Sequence, residues 1–297
     1  MTDGSSLRSG FVSILGRPNV GKSTLLNRLV GERLAAVSRK PQTTRGVIRG
    51  ILTMREGQIV FLDTPGFHQP HDSLGHWMLA EIHKSLEGAD LVYWLVLPEP
   101  PRDEDLKIAK EIGRAQTPVF ILINQVDRVK KPQLLPVIDA YRKLADFREI
   151  LPVSALHGDN LPVLLQKTFE NLPENPPYFP EELLTDQNER TIVSELIREK
   201  IFRFTGEEIP YCSAVEIEEF KEKSDTLTVI RAGIVVEKDS QKAILIGKGG
   251  TKIKQIGEAA RKEIEGFLGR KVFLELWVKT LKYWKRDPEA LKRLGFG

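Results

Sequence analysis

The sequence predicts an α/β domain with a mostly parallel, doubly wound sheet, followed by a smaller α+β domain. From residue 11 to residue 171, short apolar runs alternate with helical stretches, as in a sheet covered by helices on both faces. Four prolines then fall within residues 173–180, and neither a helix nor a central strand tolerates that density of proline. With 297 residues, the chain is also longer than most single cores. The predicted boundaries are therefore 1–172, a linker at 173–187, and 188–297.

Six apolar runs are the predicted strands of the first domain. The second and third are joined by the short turn REG, which predicts one antiparallel edge strand. In chain order the runs are FVSIL, GILTM, QIVFLD, LVYWLV, PVFILIN and EILPVS.

The second domain has a different predicted order: helix, two strands, helix, the loop GKGG, helix, strand. Residues 188–204 form the first helix, and SAVEIEEF and TLTVIRAGIVVE are the two strands. The helix after GKGG has one apolar face, with residues three or four apart. That face consists of Ile253, Ile256, Ala260, Ile264 and Phe267.

Composition indicates a soluble, globular protein of a reducing compartment. The hydrophobic fraction is 41% and the charged fraction 29%, and no run approaches the roughly 20 apolar residues that span a bilayer. The single cysteine, Cys212, excludes an intramolecular disulfide, and we predict that it is a core residue in a strand. A cytoplasmic location is expected, and a peripheral contact with the membrane is left open.

Charge is distributed unevenly within the second domain. Residues 205–240 contain 4 basic and 9 acidic side chains, whereas 241–297 contain 14 basic and 6 acidic ones. A basic surface next to an acidic one predicts a polyanionic partner for the basic part.

The segment GRPNVGKS, residues 16–23, matches the P-loop pattern between a predicted strand and a predicted helix. Backbone N–H groups of such a loop bind phosphates, Lys22 neutralises the β and γ groups, and Ser23 offers its hydroxyl to Mg²⁺. The predicted phosphate-binding residues are Gly16, Arg17, Pro18, Asn19, Val20, Gly21, Lys22, Ser23 and Thr24.

Two further motifs are expected to sense the γ-phosphate. In DTPGF, Asp63 would hold the metal and the Gly66 amide would reach the γ-phosphate, with Thr64 and Pro65 between them, but Phe67 stands where many GTPases have a glutamine that orients water. PQTTR, residues 41–45, lies where a mobile switch is expected, and one threonine hydroxyl should bind Mg²⁺. Arg45 in that segment is interpreted as an exposed switch residue rather than an internal arginine finger.

Guanine selection is predicted from NQVD, residues 124–127, and SAL, residues 154–156. The Asp127 carboxylate would accept hydrogen bonds from the base, Asn124 would shape the pocket, and Gln125 stands where the usual motif NKxD has a lysine. Ser154, Ala155 and Leu156 fit the supporting loop. All of these motifs follow predicted strands, where open α/β sheets bind their ligands.

The loop GKGG predicts an RNA-binding site of the KH type, because glycines between two helices let the backbone approach a phosphodiester. The chain order of this domain is that of type II KH folds. The predicted RNA-binding residues are Gly247, Lys248, Gly249, Gly250, Thr251, Lys252 and Lys254. Trp277, Tyr283 and Trp284 alternate with basic residues, and either base stacking or packing of the chain end explains them.

Taken together, these motifs resemble those of the Era family of bacterial GTPases over essentially the whole chain. The resemblance rests on GRPNVGKS, KPQTTR, DTPGF, NQVD in place of NKVD, SAL, PPYFPEELLTDQ, EEIPYCSAVEIEEF and IGKGG. It implies a Ras-like GTPase domain joined to a type II KH domain. It also implies binding of GTP and GDP, of the 3′ end of 16S ribosomal RNA and of the 30S subunit, whose maturation the protein would assist as a monomer.

The resemblance also bears on Phe67, because some GTPases with a hydrophobic residue at that position and an asparagine in the P-loop bind K⁺. It implies that Thr44 is the Mg²⁺ ligand beside Ser23 and Asp63, that Asn19 binds K⁺, and that Thr43 is a weaker candidate for the K⁺ shell. The predicted catalytic residues are accordingly Lys22, Thr44, Gly66 and Asn19.

Two other functions stay open at this level. One is a GTPase that serves RNA modification, against which the lack of a second catalytic cysteine or metal cluster argues. The other is an RNA-binding adaptor whose GTPase domain binds nucleotide but hardly hydrolyses it.

Overall fold

The computed structural model describes residues 6–38, 40, 43–114, 117–206 and 208–296. The chain divides into two compact units. The first contains Met1–Ala35, Thr44–Gln69 and Met78–Asp186. The second contains Ala36–Thr43, Pro70–Trp77 and Gln187–Gly297.

Strands and helices alternate along the chain up to residue 171, as predicted. The strands are β1 (Arg8–Gly16), β2 (Ile48–Met54), β3 (Gly57–Asp63), β4 (Leu91–Val96), β5 (Val119–Ile123) and β6 (Glu149–Pro152). The helices are α1 (Lys22–Val30), α2 (Ser73–Glu87), α3 (Asp103–Ile112), α4 (Leu134–Arg142) and α5 (Leu161–Asn171).

The six strands form one sheet in the order β2-β3-β1-β4-β5-β6. Only the edge pair β2–β3 is antiparallel, and the other pairs are parallel. β3, β4 and β5 are buried along their whole lengths, as expected for strands between two helical layers. The predicted fold class is thus confirmed, and the carboxyl ends of β1, β3 and β5 meet at one edge of the sheet.

The proline-rich segment after α5 packs along the edge of this sheet. Its Leu184 carbonyl accepts a hydrogen bond from the Ile51 amide of β2 at 2.8 Å. The buried Gln58 of β3 accepts from the amides of Tyr178 and Phe179 at 2.9 and 3.0 Å. Residues up to Asp186 therefore belong to the first unit, where they cover an edge strand that would otherwise expose unpaired backbone groups.

The second unit has the predicted chain order of a type II KH fold. Its elements are α6 (Glu189–Phe204), α7 (Ile209–Cys212), β7 (Ala214–Ser224), β8 (Leu227–Val236), α8 (Asp239–Ile246), α9 (Thr251–Leu268), β9 (Lys271–Thr280) and α10 (Pro288–Arg293). The sheet has the order β7-β8-β9, with β7–β8 antiparallel and β8–β9 parallel.

Helix α9 supplies much of the core of this unit. Ile256, Ala260 and Ile264 are completely buried, and Ile253 and Phe267 pack against the same core. The apolar face predicted from their spacing is therefore confirmed. In the part of the chain that the structure describes, no helix has the length and apolar character needed to cross a bilayer.

Two predictions for this unit need correction or refinement. Cys212 is buried as expected, but it ends the one-turn helix α7 instead of lying in a strand. Its carbonyl accepts a hydrogen bond from the indole N–H of Trp284 at 3.1 Å. Trp284 is completely buried and so packs the chain end, whereas Tyr283 is 69% exposed.

Candidate functional site

The P-loop connects β1 to α1 in a conformation that its glycines make possible. Gly21 has φ +103°, and a Cβ atom there would lie 2.3 Å from Nδ2 of Asn124. Gly16 has φ +154°, and its Cβ would lie 2.4 Å from the Leu95 carbonyl oxygen. Asn19 also takes a left-handed conformation, with φ 64°. The loop thus packs tightly against its surroundings and leads directly into the N-terminus of α1, which favours an anion.

Lys22 is buried inside this loop. Its ammonium donates to the carbonyl oxygens of Gly16 and Arg17, each at 3.1 Å. Burial lowers the pKa of Lys22 to about 8, against an opposing effect of Asp63. A desolvated ammonium in a phosphate-binding loop is an effective partner for phosphate oxygens.

The three predicted magnesium ligands lie together. Ser23 Oγ is 2.9 Å from Thr44 Oγ1 and donates to Asp63 Oδ2 at 2.6 Å. Asp63 is completely buried at the end of β3. Two hydroxyls and one carboxylate are hard oxygen ligands, and Mg²⁺ is usually bound through such a small set together with water and phosphate oxygens. The residues present therefore fit Mg²⁺.

The DTPG segment is attached to the P-loop through its backbone. A Cβ atom on Gly66 would lie 2.8 Å from Cγ of Pro18, so the two segments touch. The Phe67 amide donates to the Gly16 carbonyl at 3.1 Å, and the Phe67 ring packs against the core that contains Leu15. Phe67 therefore has a structural role, and its side chain does not orient water.

The segment PQTTR is described only from Thr43, because Pro41 and Gln42 lie outside the described residues. Thr43 donates its hydroxyl to the Lys40 carbonyl at 2.9 Å, within the second unit. Arg45 is only 1% exposed, so the expectation of an exposed switch residue is wrong. A position in a switch segment does not by itself tell which way a side chain points.

The guanine motif is also tied to the P-loop. Asn124 donates to the Val20 carbonyl at 2.8 Å and accepts from the Ala155 amide at 2.9 Å. It thereby joins NQVD to both the P-loop and the SAL loop, and it is nearly completely buried. These two bonds fix the Asn124 side chain between the two loops, and its role in shaping the guanine pocket stays a prediction.

The Asp127 carboxylate is stabilised in its ionised form. Ser154 donates to its Oδ1 at 2.6 Å, and this bond, more than any other influence, lowers the pKa of Asp127 below its usual value. His157 lies 3.9 Å from the other carboxylate oxygen. A carboxylate can accept from two neighbouring N–H groups of a guanine ring.

One feature of the site was not apparent from the sequence, the anchoring of the Arg17 side chain. Arg17 Nε donates to Asp105 Oδ1 at 3.0 Å, and Nη2 donates to Glu99 Oε1 at 2.7 Å. Asp105 is completely buried in the first turn of α3, and its second oxygen accepts from the Arg102 amide at 3.0 Å. The acidic run after β4 was visible in the sequence, but nothing in it indicated an arginine 88 residues away.

The GKGG loop has open space around it. Gly247, Gly249 and Gly250 all have positive φ, and a Cβ atom on Gly249 or Gly250 would meet nothing within 4 Å. Lys248, Thr251 and Lys254 are exposed, and Lys252 is partly exposed. The backbone between α8 and the N-terminus of α9 is thus accessible to a phosphodiester, with lysines before and after Gly249 and Gly250.

Comparison with known proteins covers both units. A family model described as a 50S ribosome-binding GTPase matches residues 11–125, and a KH domain model matches residues 208–285. GTPase Era of Ruminiclostridium cellulolyticum is 46% identical, with 98% of each chain covered. GTPase Era of Geobacter metallireducens is 49% identical, over 97% of this chain and 98% of the relative.

The chain belongs to the Era family of GTPases. It is accordingly a GTPase with a C-terminal KH domain, as its sequence predicted. The crystal structure of an Aquifex aeolicus Era variant bound to GDP and AlF₄⁻ is 41% identical and has a TM-score of 0.94, with 98% of this chain and 100% of that chain covered. An Era complex with MgGDPNP and nucleotides 1506–1542 of 16S ribosomal RNA is also 41% identical, with a TM-score of 0.95 and coverage of 98% and 99%.

Replacing Asp105 by Asn should destabilise the fold and disturb the conformation of the P-loop, because Asp105 holds the Arg17 side chain. The buried Arg17 guanidinium would lose one of its two anionic partners, and we expect a loss of roughly 2 to 4 kcal/mol in the free energy of unfolding. GDP affinity should fall as well. Urea denaturation and GDP titration measure the two effects.

Arg102→Ala is the matched control, because Arg102 forms a surface ion pair with the same Glu99 at 2.7 Å. Its cost should stay below about 1 kcal/mol. Equal effects of the two substitutions would show that the buried Arg17–Asp105 pair stabilises the P-loop no more than a surface ion pair does.

Proposed function

We propose that this chain couples GTP hydrolysis to binding of the 3′ end region of 16S ribosomal RNA, and that it assists maturation of the 30S subunit in this way. The observation that carries the proposal is the presence of the P-loop, DTPGF, NQVD and SAL segments and an open GKGG loop in one chain. Its support is the likeness, over nearly the whole length, to an Era structure that holds a GTP analogue and this RNA.

Each predicted residue has a proposed role in nucleotide binding. Those that bind phosphates, metal or base are Gly16, Arg17, Pro18, Asn19, Val20, Gly21, Lys22, Ser23, Thr24, Asp63, Thr64, Pro65, Gly66, Phe67, Asn124, Gln125, Asp127, Ser154, Ala155 and Leu156. Arg17, Thr64 and Phe67 act through the backbone, since their side chains bond or pack within the protein.

Hydrolysis is proposed to proceed by in-line attack of water on the γ-phosphate. Lys22 stabilises charge on the β and γ groups, the Gly66 amide binds a γ-phosphate oxygen, and Ser23, Thr44 and Asp63 hold Mg²⁺. Bound Mg²⁺ would neutralise charge that develops on the phosphate oxygens. Without a glutamine at position 67, intrinsic turnover should be slow, on the order of 10⁻⁴ to 10⁻² s⁻¹.

A monovalent cation at Asn19 is proposed to supply additional positive charge in the transition state. Asn19 is exposed on the P-loop, so its side chain is accessible to a cation beside the phosphates. Hydrolysis should be faster in KCl than in NaCl, because Na⁺ is smaller and more strongly hydrated, and Asn19→Ala should abolish the difference. Single-turnover rates at equal ionic strength measure this, and equal rates in both salts for the unmodified chain would refute the proposal.

The guanine-selecting role of Asp127 can be tested by changing the base that it prefers. Asp127→Asn replaces two acceptor oxygens by one acceptor and one donor. We expect lower affinity for GTP and higher affinity for XTP, whose ring presents a carbonyl in place of the exocyclic amine of guanine. Competition titrations with both nucleotides give the preference, and an unchanged preference would show that another residue reads the base.

The role of the KH domain can be tested at Gly249, where space is available for a side chain but a carboxylate would face RNA phosphates. Gly249→Asp should abolish affinity for a 16S rRNA 3′ fragment and remove any acceleration of hydrolysis by that fragment, while GTP affinity is retained. Fluorescence anisotropy and single-turnover hydrolysis with and without the fragment are the measurements.

Gly269→Asp is the matched control, since Gly269 follows α9, also has a left-handed φ of +65°, and a Cβ there also meets nothing within 4 Å. RNA affinity unaffected by Gly249→Asp would contradict the proposal. If the unmodified chain hydrolyses GTP but does not bind the 16S rRNA fragment, a GTPase with another role, such as one that serves RNA modification, is favoured. If it binds the fragment but does not hydrolyse GTP, an adaptor is favoured.

A further inference from the structure

Gln125 has a defined position between the P-loop and the guanine motif. It follows β5 with a left-handed backbone, φ 63°. Its Nε2 is 3.4 Å from the Asn19 carbonyl oxygen, and its Oε1 accepts from Nη1 of Arg128 at 2.7 Å. The two ends of the amide thus have different partners.

Arg128 determines which way this amide points. A guanidinium has only donors, so it pairs with the oxygen of the amide and leaves the NH₂ group for the Asn19 carbonyl. Gln125 is only partly buried, and a glutamine in that environment has several rotamers to choose from. The contact with Arg128 reduces that choice to the orientation that reaches the P-loop.

The neighbouring asparagine makes an equivalent contact. Asn124 donates to the carbonyl of Val20, and Gln125 donates to the carbonyl of Asn19. Two consecutive side-chain amides therefore bond two consecutive P-loop carbonyls. Asp127, the proposed base-reading residue, lies two residues after Gln125, so these two contacts join the P-loop to the segment that is proposed to hold the base.

We propose that Gln125 and Arg128 act as a pair that positions the nucleoside of GTP and GDP, with Arg128 acting through Gln125. Gln125 spans the distance between the two motifs, and Arg128 keeps it there. Arg128 is a positioning residue, since it is exposed and bonds Gln125 instead of the ligand. The inference rests on the proposed function of NQVD as the guanine motif.

A double-mutant cycle tests the pair in the full-length chain, with GTP and GDP affinity as the readout. Arg128→Ala should weaken both nucleotides by a similar factor, roughly three- to tenfold, since the contact is a charge-assisted hydrogen bond near the surface. The hydrolysis rate at saturating GTP should fall less than the affinity, because the residues proposed to bind the γ-phosphate and Mg²⁺ are left in place. Arg128→Lys should retain most of the affinity, because an ammonium can also donate to Oε1.

In the Gln125→Lys background, Arg128→Ala should change affinity by less than about twofold. A lysine at position 125 donates to the Asn19 carbonyl through its own ammonium, so it does not need Arg128 to orient it. Arg114→Ala is the matched control, since Arg114 makes a comparable exposed contact with Glu111 three residues before it, at 3.0 Å. It should leave affinity unchanged.

The same loss from Arg128→Ala in both backgrounds, or no loss in the unmodified chain, would overturn the inference. A change in the free energy of unfolding without a change in affinity would also overturn it, because the contact would then only stabilise the turn. Asp127→Asn distinguishes a failure of the Gln125–Arg128 pair from a failure of the proposed guanine motif. If Asp127→Asn reduces GTP affinity and Arg128→Ala does not, only the pair is refuted, whereas unchanged GTP affinity in Asp127→Asn refutes the guanine motif itself.

Discussion

The nucleotide site depends on hydrogen bonds to the carbonyl oxygens of the P-loop. A loop that directs its N–H groups toward an anion must direct many of its carbonyls toward the protein, where they need donors. The Lys22 ammonium and the Phe67 amide donate to the Gly16 carbonyl, and Lys22 also donates to the Arg17 carbonyl. Gln125 and Asn124 supply donors for Asn19 and Val20.

These bonds explain why motifs far apart in the sequence form one site. The P-loop, DTPGF and NQVD each follow a strand whose carboxyl end lies at the same edge of the sheet, so strand order brings them near one another. Their final positions are then fixed by the carbonyl contacts rather than by the sheet alone. A change in any one motif therefore affects the geometry of the phosphate loop as well as its own ligand contact.

The predictable part of the structure was the part encoded by local patterns. Apolar runs identified the strands, three- and four-residue spacing identified the face of α9, and motif spacing identified residues that the structure brings together around the P-loop. Arg17 with Asp105, Gln58 with the proline-rich segment, and the burial of Arg45 were not predictable in this way. Each depends on a specific partner or direction across a long sequence separation, which no local pattern records.

The GKGG loop shows the same use of glycine for a different purpose. Both loops lead into a helix N-terminus, and both have left-handed glycines. In the P-loop, however, a Cβ atom on Gly16 or Gly21 would collide with neighbouring groups, whereas Gly249 and Gly250 face open space. A closed loop suits a small ligand that must be enclosed, and an open one suits a polymer whose backbone has to pass across it.

Two departures from common GTPase motifs, Phe67 and Gln125, have related explanations. At Phe67 the backbone amide bonds the Gly16 carbonyl, and the ring is used for packing. At Gln125, where the usual motif has a lysine, a neutral amide bonds the Asn19 carbonyl. The positive charge is instead on Arg128, which bonds the oxygen of the same amide. In both cases the contact with the P-loop is retained. Phe67 offers no side-chain group that could act on the attacking water, so we expect this departure to affect the rate of hydrolysis rather than the binding of GTP.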